Sequence, residues 1–169
     1  MTTAVNVTEK KQDLLKRWHK ALRILQKGNF GAATYYGKLG KRFGVPVVIA
    51  TSVVSSAIFA TLGNSEYPQI QLAAGFVSIL ATVLSALQTF LGYPERSSSH
   101  REAAGGYGDL RTEVQVLLAS DLSTIADLDD RIESIRTRWN ALDKGSPTLP
   151  EWIYAKAAGA VGGDPSPKV

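Results

Sequence analysis

The sequence predicts an all-α integral membrane protein, a two-helix transmembrane hairpin with cytoplasmic amphipathic helices. Two uncharged apolar runs, residues 45–62 and 72–91, predict the spans, because a hydrocarbon core of roughly 30 Å needs about 20 apolar residues of α-helix. The link between them, residues 63–71, holds Gly, Asn, Ser and Pro, which are typical of turns. So short a link predicts an external loop and an antiparallel pair. A buried core helix of a soluble protein is the alternative for the first run, but a second uncharged run follows at once.

Proline and glycine mark the ends of the predicted spans. Pro46 is expected near the first helical position of span one, where its missing N–H costs little. Gly92 and Pro94 are expected to end or kink span two.

Basic residues predict the orientation. Lys38, Lys41 and Arg42 precede span one, Arg96 and Arg101 follow span two, and the link has no Lys or Arg. Because cytoplasmic flanks carry the excess of Lys and Arg, both termini are expected in the cytoplasm, with a multi-pass chain in the inner or plasma membrane.

The charge is distributed unevenly between the two flanks. Residues 1–44 carry ten Lys and Arg against two acids, and residues 92–169 carry nine against twelve. This pattern favours attraction to anionic headgroups of the lipid bilayer. A site for an anionic ligand such as a nucleotide is the alternative. No nucleic-acid motif accompanies the charge, so no nucleic-acid partner is expected.

The polar flanks are predicted to be helical and amphipathic. Residues 1–44 form a basic N-terminal helix and stem, with an amphipathic helix over residues 8–26 that Gly28 and Asn29 interrupt. Residues 92–158 form a cytoplasmic helical hairpin and a short C-terminal helix, and residues 159–169 form a disordered tail. Two heptad-like seams predict packing of the hairpin on itself and on the N-terminal helix, or of one seam on another subunit. The seams are Ala103, Tyr107, Leu110, Val114 and Leu117, then Ile125, Leu128, Ile132, Ile135, Trp139 and Leu142.

No residue pattern predicts a catalytic, metal or cofactor site, so the chain is expected not to be an enzyme. There is no cysteine, and the two histidines, His19 and His100, lack acidic neighbours at metal-ligand spacing. The glycines of residues 105–108 follow no predicted strand, which a phosphate-binding loop requires.

Span two carries a polar face. Ser78, Thr82, Ser85 and Thr89 share one side of the helix, and Gln88 lies beside it. Such a face serves close helix packing or lines a pore. Two helices cannot enclose a channel, so a pore needs a homo-oligomeric ring that conducts ions. In that ring Gln88 is expected near the cytoplasmic mouth.

Three stretches resemble the SLATT domain family, a two-span effector domain found beside nucleotide-signalling proteins in bacterial defence systems. They are residues 41–62 (KRFGVPVVIATSVVSSAIFATL), 87–111 (LQTFLGYPERSSSHREAAGGYGDLR) and 149–153 (LPEWI). The second stretch holds a cytoplasmic motif of His100, Arg101 and Tyr107. The resemblance implies a pore-forming or membrane-perturbing effector in antiphage defence or stress signalling, switched by a nucleotide second messenger or by a sensor protein. A non-conducting membrane scaffold that docks a cytoplasmic partner is the alternative.

Overall fold

The computed structural model of the 169-residue chain describes the backbone of residues 2–61 and 68–162. The side chains of residues 2–7, 57–61, 68, 70, 71, 74 and 88 lie outside this description. Five α-helices are described, with a short 3₁₀ helix at Leu122–Thr124 between the third and the fourth. They are α1 (Thr2–Thr61), α2 (Pro68–Leu91), α3 (Tyr93–Ala119), α4 (Leu128–Gly145) and α5 (Glu151–Gly159). No strand occurs among the described residues, which confirms the all-α prediction.

The chain divides into two compact units. We call the first the bundle unit, Met1–Thr34 with Ser97–Val169, and the second the apolar unit, Tyr35–Arg96. Of the predicted loop, residues 63–71, and the predicted tail, residues 159–169, residues 63–67 and 163–169 lie outside the described residues. The rest of the predicted loop, residues 68–71, belongs to α2, so the predicted end of the loop is wrong.

The bundle unit is built around one apolar core shared by three helices. Its buried members come from α1 (Leu15 and Leu22), from α3 and its 3₁₀ extension, and from α4. Every residue of the two heptad-like seams is buried in this core or packed against it, so the seams are confirmed as core positions. Trp18 and Trp139 meet edge to face within it, with ring centroids 5.7 Å apart.

The predicted interruption of the N-terminal helix at Gly28 and Asn29 is wrong. Helix α1 continues through both residues, because each serves tertiary packing. A Cβ on Gly28 would lie 2.9 Å from Leu149 Cδ1, so the missing side chain makes room for that leucine. The Asn29 amide, 1 % exposed, donates to the Leu25 carbonyl oxygen one turn earlier at 3.0 Å. A polar residue often found at helix ends is therefore accommodated in mid-helix.

The apolar unit consists of the end of α1, the whole of α2 and the first turn of α3. Pro46 lies inside α1 and not at the start of a helix, so its predicted position is wrong. Because proline has no N–H, the Arg42 carbonyl lacks its usual helical donor at this point. Helix α2 ends at Leu91, and Gly92 adopts a φ of 54°, a left-handed conformation that separates α2 from α3.

Candidate functional site

The predicted pore-lining residues lie on α2, and their hydroxyl groups bond within the helix. Thr82 Oγ1 donates to the Ser78 carbonyl at 2.8 Å, and Thr89 Oγ1 donates to the Ser85 carbonyl at 3.1 Å. Thr82, Ser85 and Thr89 are exposed and Ser78 is half-buried, whereas the side chain of Gln88 lies outside the description. Most of this face is therefore not covered by other parts of the described protomer.

The hydroxyl groups at the end of α1 also bond to backbone carbonyls of their own helix. Ser52 donates to the Val48 carbonyl at 2.8 Å, Ser55 to that of Thr51 at 2.8 Å, and Ser56 to that of Ser52 at 3.0 Å. A hydroxyl proton bonded to its own helix needs no water, which lowers the cost of placing the side chain in hydrocarbon. Its oxygen lone pairs can still accept a hydrogen bond from water or coordinate a cation.

Many apolar side chains of this unit are exposed, although Val47, Val54 and Ala81 are buried. Phe90 is 86 % exposed, and the other large exposed apolar residues of α1 and α2 include Val48, Ile49, Val53, Leu72, Phe76, Ile79, Leu80 and Val83. Among the described residues, one helical stretch, Gly75–Ala119, is long and apolar enough to cross a membrane by length and composition. A core helix of a soluble protein would pass that test too, but here only 6 % of the apolar window is buried.

His100 of the predicted cytoplasmic motif is a buried structural residue. Its Nδ1 lies 2.8 Å from Asn29 Oδ1, and the ring is 3 % exposed. Since the Asn29 amide nitrogen already donates to Leu25, its oxygen faces the histidine, and Nδ1 carries the proton. Near this pair, Ser97 Oγ donates to the Ala33 carbonyl at 2.8 Å. Two polar bonds therefore set the register of α1 against α3.

Tyr107 ties α3 to α4 in a similar way. Its hydroxyl donates to Asp143 Oδ1 at 2.6 Å, and the side chain is 3 % exposed. Burial, reinforced by the hydrogen bond to Asp143, raises the pKa of Tyr107 to about 12. The phenol therefore stays protonated and keeps donating at neutral pH. Arg101, the third motif residue, is exposed.

An aromatic and cationic cluster lies in the apolar unit where α3 begins. The Tyr93 ring stacks on Tyr36, with centroids 6.4 Å apart, and on Phe43, with centroids 6.0 Å apart. The Arg96 guanidinium carbon lies 5.9 Å from the centre of the Tyr36 ring. Gly40 lets α1 and the start of α3 approach closely, since a Cβ there would lie 3.5 Å from Tyr93 Cβ. We refer to Tyr36, Phe43, Tyr93 and Arg96 as the aromatic cluster.

The remaining histidine, His19, is a partly buried group of the bundle unit. Burial, followed by the nearby charges of Arg111 and Arg23, lowers the pKa of His19, so this imidazole is neutral at physiological pH. Within the described part of the chain, no three His, Asp or Glu side chains come together in a group that could hold a metal ion.

The sequence predicted which residues form the hydroxyl face and the core seams. It did not predict the hydrogen-bond partners of His100 and Tyr107. The low helix propensity of Asn29 predicted a helix break. In the structure Asn29 is instead the buried hydrogen-bond partner of His100. Asp143 directly follows seam residue Leu142, and that position next to a predicted core could have identified it as the partner of Tyr107. The stacking around Tyr93 had only a weak signal, namely aromatic residues at both span ends.

No protein-family model, curated protein or solved structure matches this chain.

Proposed function

We propose that this chain is a two-span membrane protein that assembles with copies of itself into a pore, and that it acts as an effector in bacterial antiphage defence or stress signalling. One observation carries the proposal. Helix α2 combines an almost wholly exposed apolar surface with a face of hydroxyl side chains.

The exposed apolar surface supports insertion into a bilayer. Burying one Val, Leu, Ile or Phe side chain is worth roughly 1.5–3 kcal/mol, so a helix that exposes many of them to water is strongly driven towards another environment. Lipid satisfies that surface on all sides of a two-helix hairpin. The helix pairs the backbone polar groups of α2, and the internal hydrogen bonds of Thr82 and Thr89 lower the penalty for placing their side chains there.

The hydroxyl face favours a pore and not a simple membrane anchor. In a ring of protomers that turns Thr82, Ser85 and Thr89 towards the axis, water and ions meet hydroxyl oxygens and no formal charge. Such a pore discriminates weakly between cations and anions within the spans. The basic and acidic groups at its mouths then set any charge preference.

The bundle unit is suited to a trigger on the cytoplasmic side. His100 and Tyr107 hold its helices in register, whereas the exposed Arg101 guanidinium is available to a sensor protein or to a nucleotide second messenger. A change in how the helices pack would then reach α2 through α3, which begins two residues after α2 ends.

Reconstitution tests the pore directly. The purified protein in liposomes is expected to release a small dye or to carry single-channel current. Thr82→Phe should lower the conductance because it fills the lumen, and Leu80→Phe is the matched control because residue 80 lies off the hydroxyl face. Assembly of both variants is checked by their elution volume in detergent. A well-formed oligomer that stays tight with nucleotides and candidate sensor proteins would reject the pore. Equal losses of conductance in both variants would reject the hydroxyl face as its lining.

A non-conducting scaffold is the second candidate. Val116 and Trp152 expose apolar surface on the bundle unit, at 60 % and 54 %, where a cytoplasmic partner could dock. Recovery of a stoichiometric partner, lost on Val116→Lys, together with the absence of conductance would favour the scaffold.

A further inference from the structure

The aromatic cluster has the features of a further binding site, and this inference rests on the proposed function, because it requires the apolar unit to lie in a bilayer. Phe43 lies two residues before the first predicted span, and Tyr93 lies two residues after the second. Aromatic rings at such positions are typical of the headgroup level of a membrane. The cluster is therefore the part of the apolar unit expected to meet lipid headgroups.

The charge around the cluster is predominantly positive. Residues 35–61 and 68–96 contain four basic side chains, Lys38, Lys41, Arg42 and Arg96, and one acidic side chain, Glu95. All five are exposed. Lys38 and Arg42 share one face of α1, opposite to the face of Tyr36, Gly40 and Phe43, so they add only to the local positive potential. The local excess of positive charge favours an anionic headgroup over a zwitterionic one.

Stacking fixes the position of the Arg96 side chain without using its hydrogen-bond donors. A cation–π contact engages the charge and the planar face of the guanidinium, and Arg96 lies over the Tyr36 ring in this way. The N–H edge of an arginine fits two phosphate oxygens at once. The Tyr36 ring is itself held by its stack on Tyr93, and Gly40 lets Tyr93 approach α1. Arg96 is therefore pre-positioned, and a phosphate group would not have to order a freely moving side chain.

We propose that Arg96, positioned by Tyr36 and Tyr93, binds the phosphate of an anionic phospholipid headgroup in the cytoplasmic leaflet. The occupant is a lipid and not a free nucleotide, because the cluster adjoins both predicted spans and its rings offer apolar surface to the glycerol and acyl region. Pro46 adds to this setting, since the Arg42 carbonyl lacks its helical donor and can accept from a headgroup hydroxyl or from water.

The test uses the full chain in a mild neutral detergent, titrated with phosphatidylglycerol or phosphatidylcholine and followed by native mass spectrometry. We expect the wild-type chain to retain phosphatidylglycerol in preference. Arg96→Gln should weaken that binding about fivefold, the effect of one basic group at a membrane surface. Lys144→Gln, which removes the same charge from an exposed position at the end of α4, should leave it unchanged.

Further variants separate positioning from charge. Tyr36→Phe keeps the ring and should bind like the wild-type chain, whereas Tyr36→Leu loses the stack and should approach the affinity of Arg96→Gln. Arg96→Lys keeps the charge but not the planar fork, and it should fall between the wild-type chain and Arg96→Gln. Equal effects of Arg96→Gln and Lys144→Gln would mean only diffuse attraction and would overturn the inference. Displacement of the lipid by millimolar glycerol phosphate would also overturn it, because the site would then recognise free phosphate.

Insertion into phosphatidylcholine vesicles, measured by co-flotation, distinguishes failure of this inference from failure of the proposed function. A chain that inserts but shows no preference for phosphatidylglycerol contradicts the headgroup site alone. A chain that fails to insert contradicts both.

Discussion

The bundle unit and the apolar unit use the same kinds of side chain in opposite ways. In the bundle unit Leu15, Leu22 and Ile135 are fully buried, and the buried polar groups pair across helices, as His100 does with Asn29. In the apolar unit many large apolar side chains are exposed, and the hydroxyl groups of Thr82 and Thr89 bond to their own helix. The difference is the one expected if the apolar unit, as proposed, lies in a bilayer. Water drives the first to build a core, whereas the second presents its apolar surface outward and satisfies its polar groups locally.

The largest expected effect comes from truncating a leucine in each unit. Leu22→Ala removes a fully buried side chain and should lower the free energy of unfolding of the bundle unit by about 2–5 kcal/mol. Leu80→Ala, made at a residue that is 61 % exposed, should leave the bundle unit unaffected. Thermal unfolding of the full chain in detergent, followed by the fluorescence of Trp18 and Trp139, measures both. Equal losses would show that the comparison between the units is wrong.

The next effect concerns the buried amide and imidazole pair. Asn29→Ala leaves His100 Nδ1 buried without its acceptor and should destabilise the bundle unit by about 1–3 kcal/mol. In a double-mutant cycle, adding His100→Leu should recover part of this loss, since the imidazole nitrogen that lost its acceptor is then removed. Strictly additive losses would show that the two residues do not depend on each other.

Tyr107→Phe deletes one buried hydrogen bond and should destabilise the bundle unit by roughly 1.5–3 kcal/mol, the range for a bond to a charged group. The effect should depend on pH. The pKa of Tyr107 is raised from 10 to about 12 in the folded chain, so the phenol contributes its full stability below pH 10 and loses it as the pH rises towards 12. Unfolding of the wild-type chain between pH 9 and 12 measures this loss, which Tyr107→Phe should not show. Parallel pH profiles would contradict the assignment.

The smallest effect is expected at the surface of the bundle unit. Lys11 Nζ lies 2.7 Å from Asp129 Oδ1 and joins α1 to α4, but the aspartate side chain is 79 % exposed. Lys11→Met should therefore change the free energy of unfolding by at most about 1 kcal/mol, and less at high salt. A salt titration of the melting temperature tests this. A loss as large as that of Leu22→Ala would mean that surface charge, and not the core, holds α1 in place.

The sequence alone predicted those parts of the structure that follow from the periodicity of apolar residues. The spacing of residues from Ala103 to Leu117 and from Ile125 to Leu142 predicted the core, because a 3.5-residue repeat places side chains on one helix face. The sequence did not predict the role of a residue whose conformation depends on a neighbour far away in the chain. Gly28 and Asn29 have low intrinsic helix propensity, yet contacts with Leu149 and His100 hold them in mid-helix. Pro46 misled for a different reason, since it lies inside a 60-residue helix that tolerates one missing bond.

The central claim is that the apolar unit lies in a membrane, and two residues with the same exposure test it most directly. Leu80 in α2 is 61 % exposed and Val116 in α3 is 60 % exposed, so the isolated chain presents both equally to water. The sequence contains no cysteine, so Leu80→Cys and Val116→Cys each introduce a single thiol. In membranes from cells that express each variant, a water-soluble maleimide should label residue 116 and leave residue 80 unlabelled until detergent and denaturant are added. Equal labelling of the two thiols in intact membranes would contradict the account.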